Sequence, residues 1–229
     1  MSAGPPLLLA LHSSSETLAV GLQALPGLEA PAGLVRLASF PLGRQLSNAL
    51  LTSVEQLLLA QEWPRLGRLV VATGPGGFTG TRLTVVLART LAQQLAIPLH
   101  GISSFQLMAR RLAQPQGPMA GLPRFWLQQE LPRRGTVAGC YGPDPQALGG
   151  MGELALPRLF RPGEPLPWQG ATEGVSEEAS WQPVLPAVVD PEADVAELLA
   201  LGQLAHAAAL PGPWQPVLPL YPTSPVEGL

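Results

Sequence analysis

The stretch LVVATGPGGFTGTR, residues 69–82, decides the fold of this 229-residue chain. Residues 69–72 form a short, partly β-branched apolar run, which is typical of a buried strand. Gly76, Gly77 and Gly80 then permit the tight turn or close backbone approach that a strand-to-helix junction requires. Thr79 is a candidate cap for the following helix. The sequence therefore predicts a strand, a glycine turn (residues 74–82) and a helix in direct succession.

The helix after the glycine turn has two faces. Apolar residues at helical spacing predict the stripe that packs on the core. They are Leu83, Val86, Leu87, Leu91 and Leu95. Small and polar residues would let a partner helix approach on the other side. They are Thr79, Gly80, Thr84 and Ala88.

The glycine turn has two interpretations, phosphate binding or close packing against another backbone. A helix N-terminus exposes backbone N–H groups that favour anions, but the spacing matches neither GxGxxG nor GxxxxGK[ST]. The turn therefore favours close packing or an interface, for which we select Gly76, Gly77, Phe78, Thr79, Gly80 and Arg82 together with Thr84 and Ala88. Arg82 would stand in the first helical turn, where the helix dipole disfavours a cation, so a partner group explains it better than helix stability.

The surrounding pattern predicts an α/β fold. Strands are expected at residues 7–11, 17–22, 34–40, 69–72 and 99–102, and helices at residues 46–61, from the glycine turn to residue 95, and at residues 104–112. The order βββαβαβα favours a mixed sheet covered by helices. Residues 1–112 form the predicted first subdomain.

The rest of the chain has a different character. Proline and glycine crowd residues 113–189, which we predict to be a smaller, loop-rich subdomain with strands near residues 124–128, 136–141 and 154–160. Asp190 and Pro191 are a strong helix start, as N-cap and first helical residue. Residues 190–229 are expected to form a helix and a tail that pack back on the body.

Composition excludes several kinds of chemistry. All 13 basic residues are arginine, which excludes a P-loop lysine and a Schiff-base lysine. No aspartate precedes Asp144, so the first half is poorly equipped to hold Mg-nucleotide. The single cysteine, Cys140, excludes an internal disulfide framework and a cysteine-based zinc site. The apolar run near the start is too short for a signal or membrane segment, so we expect a cytoplasmic protein that contacts no membrane.

Three stretches together resemble the TsaB (YeaZ) family. GPGGFTGTR is similar to the family's GPGSFTGLR and leads through a helix to IPLHGISS, residues 97–104. LALHSSS stands at the first strand, and the tail holds Pro219-Leu220-Tyr221. Arg133-Arg134-Gly135-Thr136-Val137 is similar to the family's DARRGEVY segment. His12 departs from the aspartate that the family carries in LALDTS.

The resemblance implies an actin-like, Hsp70-like ATPase fold (ASKHA, ribonuclease H-like) with mixed sheets in two subdomains, the second reduced. It implies a non-catalytic subunit of the complex that makes N6-threonylcarbamoyladenosine in tRNA, acting with the catalytic paralogue TsaD and the ATPase TsaE. The helix after the glycine turn would be the surface for TsaD, or for a second copy of the chain when it is alone. ATP is expected only at an assembled interface, and His12 further weakens the case for ATP turnover because imidazole is a poor Mg²⁺ ligand.

Other interpretations remain open. An ATP-binding phosphotransferase of the same fold would use the glycine turn on phosphates, and a metallopeptidase is more remote. The serines at residues 13–15 lack a nucleophile motif, and His100 and His206 lack a second histidine at helical spacing. The pairs Arg110-Arg111 and Arg133-Arg134 could touch tRNA phosphates, although the sequence favours only indirect contact with tRNA.

Overall fold

The computed structural model describes residues 4–26, 35–168 and 183–222. Leu34, with which the predicted third strand begins, and residues 223–229 of the tail lie outside these ranges. The described residues of Met1–Leu107 and Val189–Leu220 form one compact unit, and those of Met108–Val188 and Tyr221–Leu229 form a second. The domain limits predicted at residues 112 and 189 stay predictions. Within the described ranges, no helix is both long and apolar enough to cross a bilayer.

The first unit is built on a five-stranded mixed sheet in the order β3-β2-β1-β4-β5. The strands are β1 (Leu7–His12), β2 (Thr17–Ala24), β3 (Arg36–Pro41), β4 (Leu66–Ala72) and β5 (Leu99–Ile102). β2 pairs antiparallel with β1 and β3, whereas β4 runs parallel to β1 and β5. All six residues of β1 are buried, as expected for a central strand that is covered on both faces.

Within the residues that the structure describes, four α-helices accompany the sheets. They are α1 (Leu46–Glu55), α2 (Phe78–Leu95), α3 (Ser104–Leu112) and α4 (Pro191–Ala207). The predicted order βββαβαβα is confirmed. The helix expected at residues 46–61 ends early, at Glu55, and is followed by a short 3-10 helix, Ala60–Arg65. Trp63 Nε1 donates to the Leu58 carbonyl at 3.1 Å and holds the bend between the two helices.

The start of α4 follows its sequence signature. Asp190 is the N-cap, and its carboxylate accepts a hydrogen bond from the Ala193 N–H at 3.1 Å. The helix packs on the first sheet at a glycine: a Cβ atom at Gly202 would lie 2.7 Å from Leu8 Cδ2 and 3.1 Å from Val70 Cγ1. Residues 190–207 therefore return to the unit formed by the start of the chain.

The second unit contains a four-stranded sheet in the order β8-β7-β6-β9. The strands are β6 (Phe125–Leu131), β7 (Gly135–Pro143), β8 (Met151–Phe160) and β9 (Val184–Pro186). The three strands predicted here are present, each longer than expected, whereas β9 was not predicted. Trp126, Phe160 and Trp168 pack together on this sheet, with ring centroids 5.1–6.5 Å apart.

Candidate partner-binding site

The glycine turn is fixed by neighbours within the first unit. After β4, the Thr73 N–H donates to the Ile102 carbonyl at 2.8 Å, and the Thr73 carbonyl accepts from the Leu220 N–H at 2.7 Å. The Gly74 carbonyl accepts from the Ser104 N–H at 2.7 Å. Gly74 has φ +96° and is joined to Pro75 by a cis peptide bond. β5, the start of α3 and the C-terminal segment all hold the turn in place.

Two of the glycines are required by the chain's own packing. A Cβ atom at Gly76 would lie 2.4 Å from both Cβ and the carbonyl oxygen of Ser14, and one at Gly80 would lie 3.0 Å from the Ser13 oxygen. The close-packing interpretation therefore holds for these two residues, and the backbone they approach belongs to the turn after β1. Their small size is thus already explained within the chain, while the predicted approach of a partner helix to these residues stays a prediction.

The amino end of α2 does not have the predicted cap. The N-cap is Gly77, which provides no side-chain cap. Thr79 lies inside the helix, so its predicted capping role is wrong. The Gly77 N–H donates to the Ser14 carbonyl at 3.1 Å. One of the N–H groups that a phosphate-binding loop would offer is therefore engaged by the chain itself.

Serine and threonine hydroxyls join the turn after β1 to the helices. Ser13 Oγ and Thr84 Oγ1 are 2.7 Å apart and hydrogen-bonded, and Ser14 Oγ is hydrogen-bonded to Ser104 Oγ. Ser13 and Ser14 are both buried. Because their partners are hydroxyls and not bases, these contacts support a structural role for the serines.

The predicted core stripe of α2 is confirmed except at Val86, but the helix also buries small residues that were assigned to its other face. The side chains that face the core are mostly small, namely Thr81, Thr84, Val85, Ala88, Leu91 and Ala92. Thr84 and Ala88 are fully buried, so their predicted contact with a partner helix is wrong. Val86, assigned to the core stripe, is 52% exposed, while Leu83, Leu87 and Leu95 are half-buried. The helix packs closely through its small residues, Leu83, Leu87 and Leu95 pack at the margin of the core, and Val86 points outward.

We define the α2 face as the exposed side chains of this helix. Its members are Phe78, Thr79, Arg82, Val86, Thr90, Gln93 and Gln94, flanked by Leu83, Leu87 and Arg89. The first turn of α2 contains no carboxylate, and Arg82, the fifth residue of the helix, lies just past this turn and not in it as predicted. Arg89 lies over the ring of Trp214, with the guanidinium carbon 5.4 Å from the ring centroid. The α2 face therefore mixes apolar and polar side chains, and its charged side chains, Arg82 and Arg89, are both positive.

The histidines occupy structural positions. His12 ends β1 and has no exposed surface, so its imidazole lies in the interior and not at an open turn. His100 Nε2 accepts a hydrogen bond from Nη1 of Arg68, whose Nη2 donates to the Leu210 carbonyl at 3.0 Å. Burial, aided by the Arg68 charge, lowers the pKa of His100 to about 4. Across the ranges that the structure describes, no group of three or more His, Cys, Asp or Glu side chains could hold a metal ion.

The two arginine pairs differ in their surroundings. Arg110 Nη1 donates to the Gly149 carbonyl, and Arg111 Nη2 donates to the Val188 carbonyl at 2.8 Å. This pair thus ties loops to α3 within the second unit. Arg133 and Arg134 instead lie exposed in the turn between β6 and β7.

Comparisons with known proteins fit this architecture. A family model described as TsaD, tRNA N6-adenosine threonylcarbamoyltransferase, matches residues 42–123, which include α1, the glycine turn and α2. The Bacillus subtilis (strain 168) "tRNA threonylcarbamoyladenosine biosynthesis protein TsaB" is 50% identical over 44 residues. That match spans 19% of this chain and 19% of the relative, about a fifth of each.

Two solved structures from Pseudomonas aeruginosa have the same fold over nearly the whole chain. One is described as an uncharacterized protein with similarity to peptidase YEAZ; it has a TM-score of 0.66 at 24% identity, over 95% of this chain and 100% of its own. The other, YeaZ, has a TM-score of 0.62 at 22% identity, over 94% and 99%. The predicted resemblance to the TsaB (YeaZ) family is confirmed, and the fold shared with the two solved structures is α/β with two mixed sheets.

Proposed function

We propose that this chain is a non-catalytic, TsaB-like subunit of the machinery that makes N6-threonylcarbamoyladenosine in tRNA. Support comes from the TsaB relative and from the TsaD family model, both of which match a limited part of the chain. In this proposal a TsaD-like paralogue carries the chemistry, and a TsaE-like ATPase is the third member. The complex acts in the cytoplasm.

The α2 face carries the proposal. Val86 is 52% exposed and Phe78 is 43% exposed on a helix whose other side is buried in the first unit. Large apolar side chains that recur along one exposed helix face favour burial against another protein. The partner to which we commit is the equivalent helix of the TsaD-like paralogue. In its absence, a second copy of the chain would cover the same face.

The glycine turn acts as a support in this proposal. Gly76 and Gly80 seat the turn on the residues after β1, and Gly74 and Thr73 anchor it to α3 and the C-terminal segment. A helix fixed so firmly at its amino end presents its face with little loss of conformational entropy on binding. The chain therefore serves as a rigid platform that positions its partner.

Co-elution tests the proposal. The full chain and the TsaD-like and TsaE-like proteins of the same cell are co-expressed and separated by size exclusion, and tRNA modification is assayed with and without the chain. We expect co-elution and a loss of modification when the chain is omitted. Val86→Asp should abolish co-elution because it buries an unpaired carboxylate, weakening binding by roughly 100-fold.

Leu204→Asp is the matched control, because Leu204 is a 43% exposed apolar residue on the surface of another helix, α4. This variant should co-elute like the unmodified chain. Failure of the unmodified chain to co-elute, with modification unchanged in its absence, would contradict the proposal. Micromolar binding and turnover of Mg-ATP by the chain alone, measured by calorimetry, would favour the phosphotransferase alternative.

A further inference from the structure

The turn that joins β6 to β7 has an unusual backbone. Its residues are Pro132, Arg133 and Arg134, and the Arg134 N–H donates to the Leu131 carbonyl at 3.0 Å. Pro132 takes the second position of this four-residue turn, where proline is favoured. Arg133 takes the third position with φ +65°, in the left-handed region. Such turns usually have glycine or asparagine at that place.

An arginine therefore stands where backbone geometry favours glycine. L side chains rarely adopt this conformation, and the turn would form more readily without the Cβ atom. Backbone strain of this kind is often found at functional sites, where the surrounding structure maintains it. The presence of arginine at this position is then explained by a function of its side chain.

The guanidinium groups of the turn are available to a ligand. Arg133 and Arg134 are exposed, and within the described part of the chain neither forms an ion pair with a carboxylate. A third arginine is adjacent, since the Arg161 Cα lies 3.1 Å from the position of a Cβ at Gly135. The positive charge thus gathers at one end of the second sheet, in a chain whose net charge is −3.

Two carboxylates lie near this end of the sheet. Glu164 is engaged, because it accepts from Arg158 Nη1 at 2.7 Å and from the Arg161 N–H at 2.9 Å. These contacts, the backbone N–H first and the Arg158 side chain second, lower the pKa of Glu164. Glu130 lines an open depression of about 480 Å³ together with Arg133. Arg133 and Arg134 therefore outweigh the single carboxylate beside them.

We propose that the basic turn, Pro132-Arg133-Arg134, binds phosphate groups of an RNA backbone. Guanidinium groups present a planar fork of donors that matches phosphate oxygens. The choice of RNA over an acidic protein surface rests on the proposed function, and it goes beyond the expectation that tRNA is met only indirectly. Glu130 weakens the contact, because it places a negative charge beside the bound phosphate.

Fluorescence anisotropy with a labelled tRNA transcript tests this proposal on the full chain alone and on the assembled complex. The double variant Arg133→Gln/Arg134→Gln should bind roughly ten-fold more weakly at low salt. The slope of log K against log salt should become shallower by about 1.4–1.8, since each phosphate contact contributes about 0.7–0.9. Glu130→Gln should bind more tightly. Arg133→Gly should raise the unfolding temperature while it weakens RNA binding, a combination that a purely structural role would not produce.

The matched control is Arg36→Gln/Arg44→Gln, which removes the same charge from exposed positions on β3 and the 3-10 helix Gly43–Gln45. It should change the affinity less than two-fold or so, because these residues lie outside the basic turn. Equal losses in both double variants, or no loss in either, would overturn the proposal. A loss of co-elution with the TsaD-like protein at unchanged RNA affinity would also overturn it and indicate an acidic protein contact. If the unmodified chain fails to co-elute, the proposed function fails, while anisotropy on the chain alone still decides the RNA contact.

Discussion

Adjacent glycines of the glycine turn have opposite structural demands. Gly76 has no room for a Cβ atom, which would lie 2.4 Å from Ser14, whereas a Cβ at Gly77 would meet only the Ser15 oxygen at 3.9 Å. Gly77 is also the N-cap of α2, without a side-chain cap. The TsaB family motif has serine at this place, and serine is among the favoured N-cap residues.

These demands predict opposite outcomes for two substitutions. Gly76→Ala should lower the free energy of unfolding by about 1–3 kcal/mol, because the turn after β1 must move. Gly77→Ser should raise it by about 0.5–1 kcal/mol, because the hydroxyl caps α2 and the unfolded chain loses freedom. Urea denaturation of the two variants measures both effects. An unchanged free energy of unfolding in Gly76→Ala would mean that Ser14 can move away from the added Cβ atom without destabilising the fold.

At the scale of elements, α2 shows what the sequence predicts well and what it does not. Its existence and its place after β4 follow from apolar spacing and glycines. Its orientation follows only in part, because hydropathy ranks Val86 above Thr84 and Ala88, while the closest packing on the sheet selects for small size. The threonine fits because its hydroxyl finds Ser13, a partner 71 residues away that no local pattern indicates.

The dependence on contacts between residues distant in sequence also explains the other differences between the prediction and the structure. The role of Gly76 depends on Ser14, and the three-residue β9 is defined by its pairing with β6, for which local pattern gives little signal. Strands with strong β-branched or alternating patterns, such as β4 and β2, were predictable because their own residues carry the information. The features that were not predicted depend on contacts between segments that are distant in sequence.

Arg82 gives a prediction with opposite signs for stability and binding. It is exposed at the fifth residue of α2, just past the first turn, where the helix dipole disfavours a cation only weakly. Because the dipole effect falls off within the first turn, Arg82→Glu should stabilise the isolated chain only slightly, by about 0.3 kcal/mol or less. The same variant should weaken pairing with the TsaD-like protein at least ten-fold if Arg82 meets a partner group. Thermal unfolding and co-elution measure the two effects; improved stability with unchanged pairing would remove Arg82 from the interface.

At the scale of the whole molecule, the C-terminal segment is tied to the first sheet by a pair that responds to pH. Arg68 is 4% exposed and bonds to His100 and to the Leu210 carbonyl. The bond to His100 needs a neutral imidazole, because a protonated ring offers no lone pair to the guanidinium. Val217, a few residues later, is buried in the core of this unit.

Lowering the pH should weaken the contact between Arg68 and His100. The pKa of His100 is about 4 in the folded chain and about 6.5 when unfolded, so between these values only the unfolded chain binds the proton. Stability is therefore fully present above pH ~6.5 and falls as the pH drops towards 4. We expect a loss on the order of 1–2 kcal/mol, less than the full shift implies because His100 is partly exposed.

Urea denaturation from pH 7 to pH 4.5 measures this loss. His100→Gln should reduce the pH dependence in that window, since the amide oxygen can accept from Arg68 without titrating. His206→Gln on α4 should keep the pH dependence of the unmodified chain. If the free energy of unfolding changed equally with pH in all three proteins, His100 would not be the group that controls the pH dependence.

The division of the first unit between the two ends of the chain has a consequence during synthesis. β1, β2 and β4 leave the ribosome early, yet α4, which covers them, follows after the whole stretch Met108–Val188. About a hundred residues separate Leu107 from the end of α4, which at 5–20 residues per second is a delay of roughly 5–20 s. Throughout that interval Leu8 and Val70 lack the helix that shields them. The apolar side chains on this side of β1 and β4 therefore remain uncovered until α4, translated much later, packs on them.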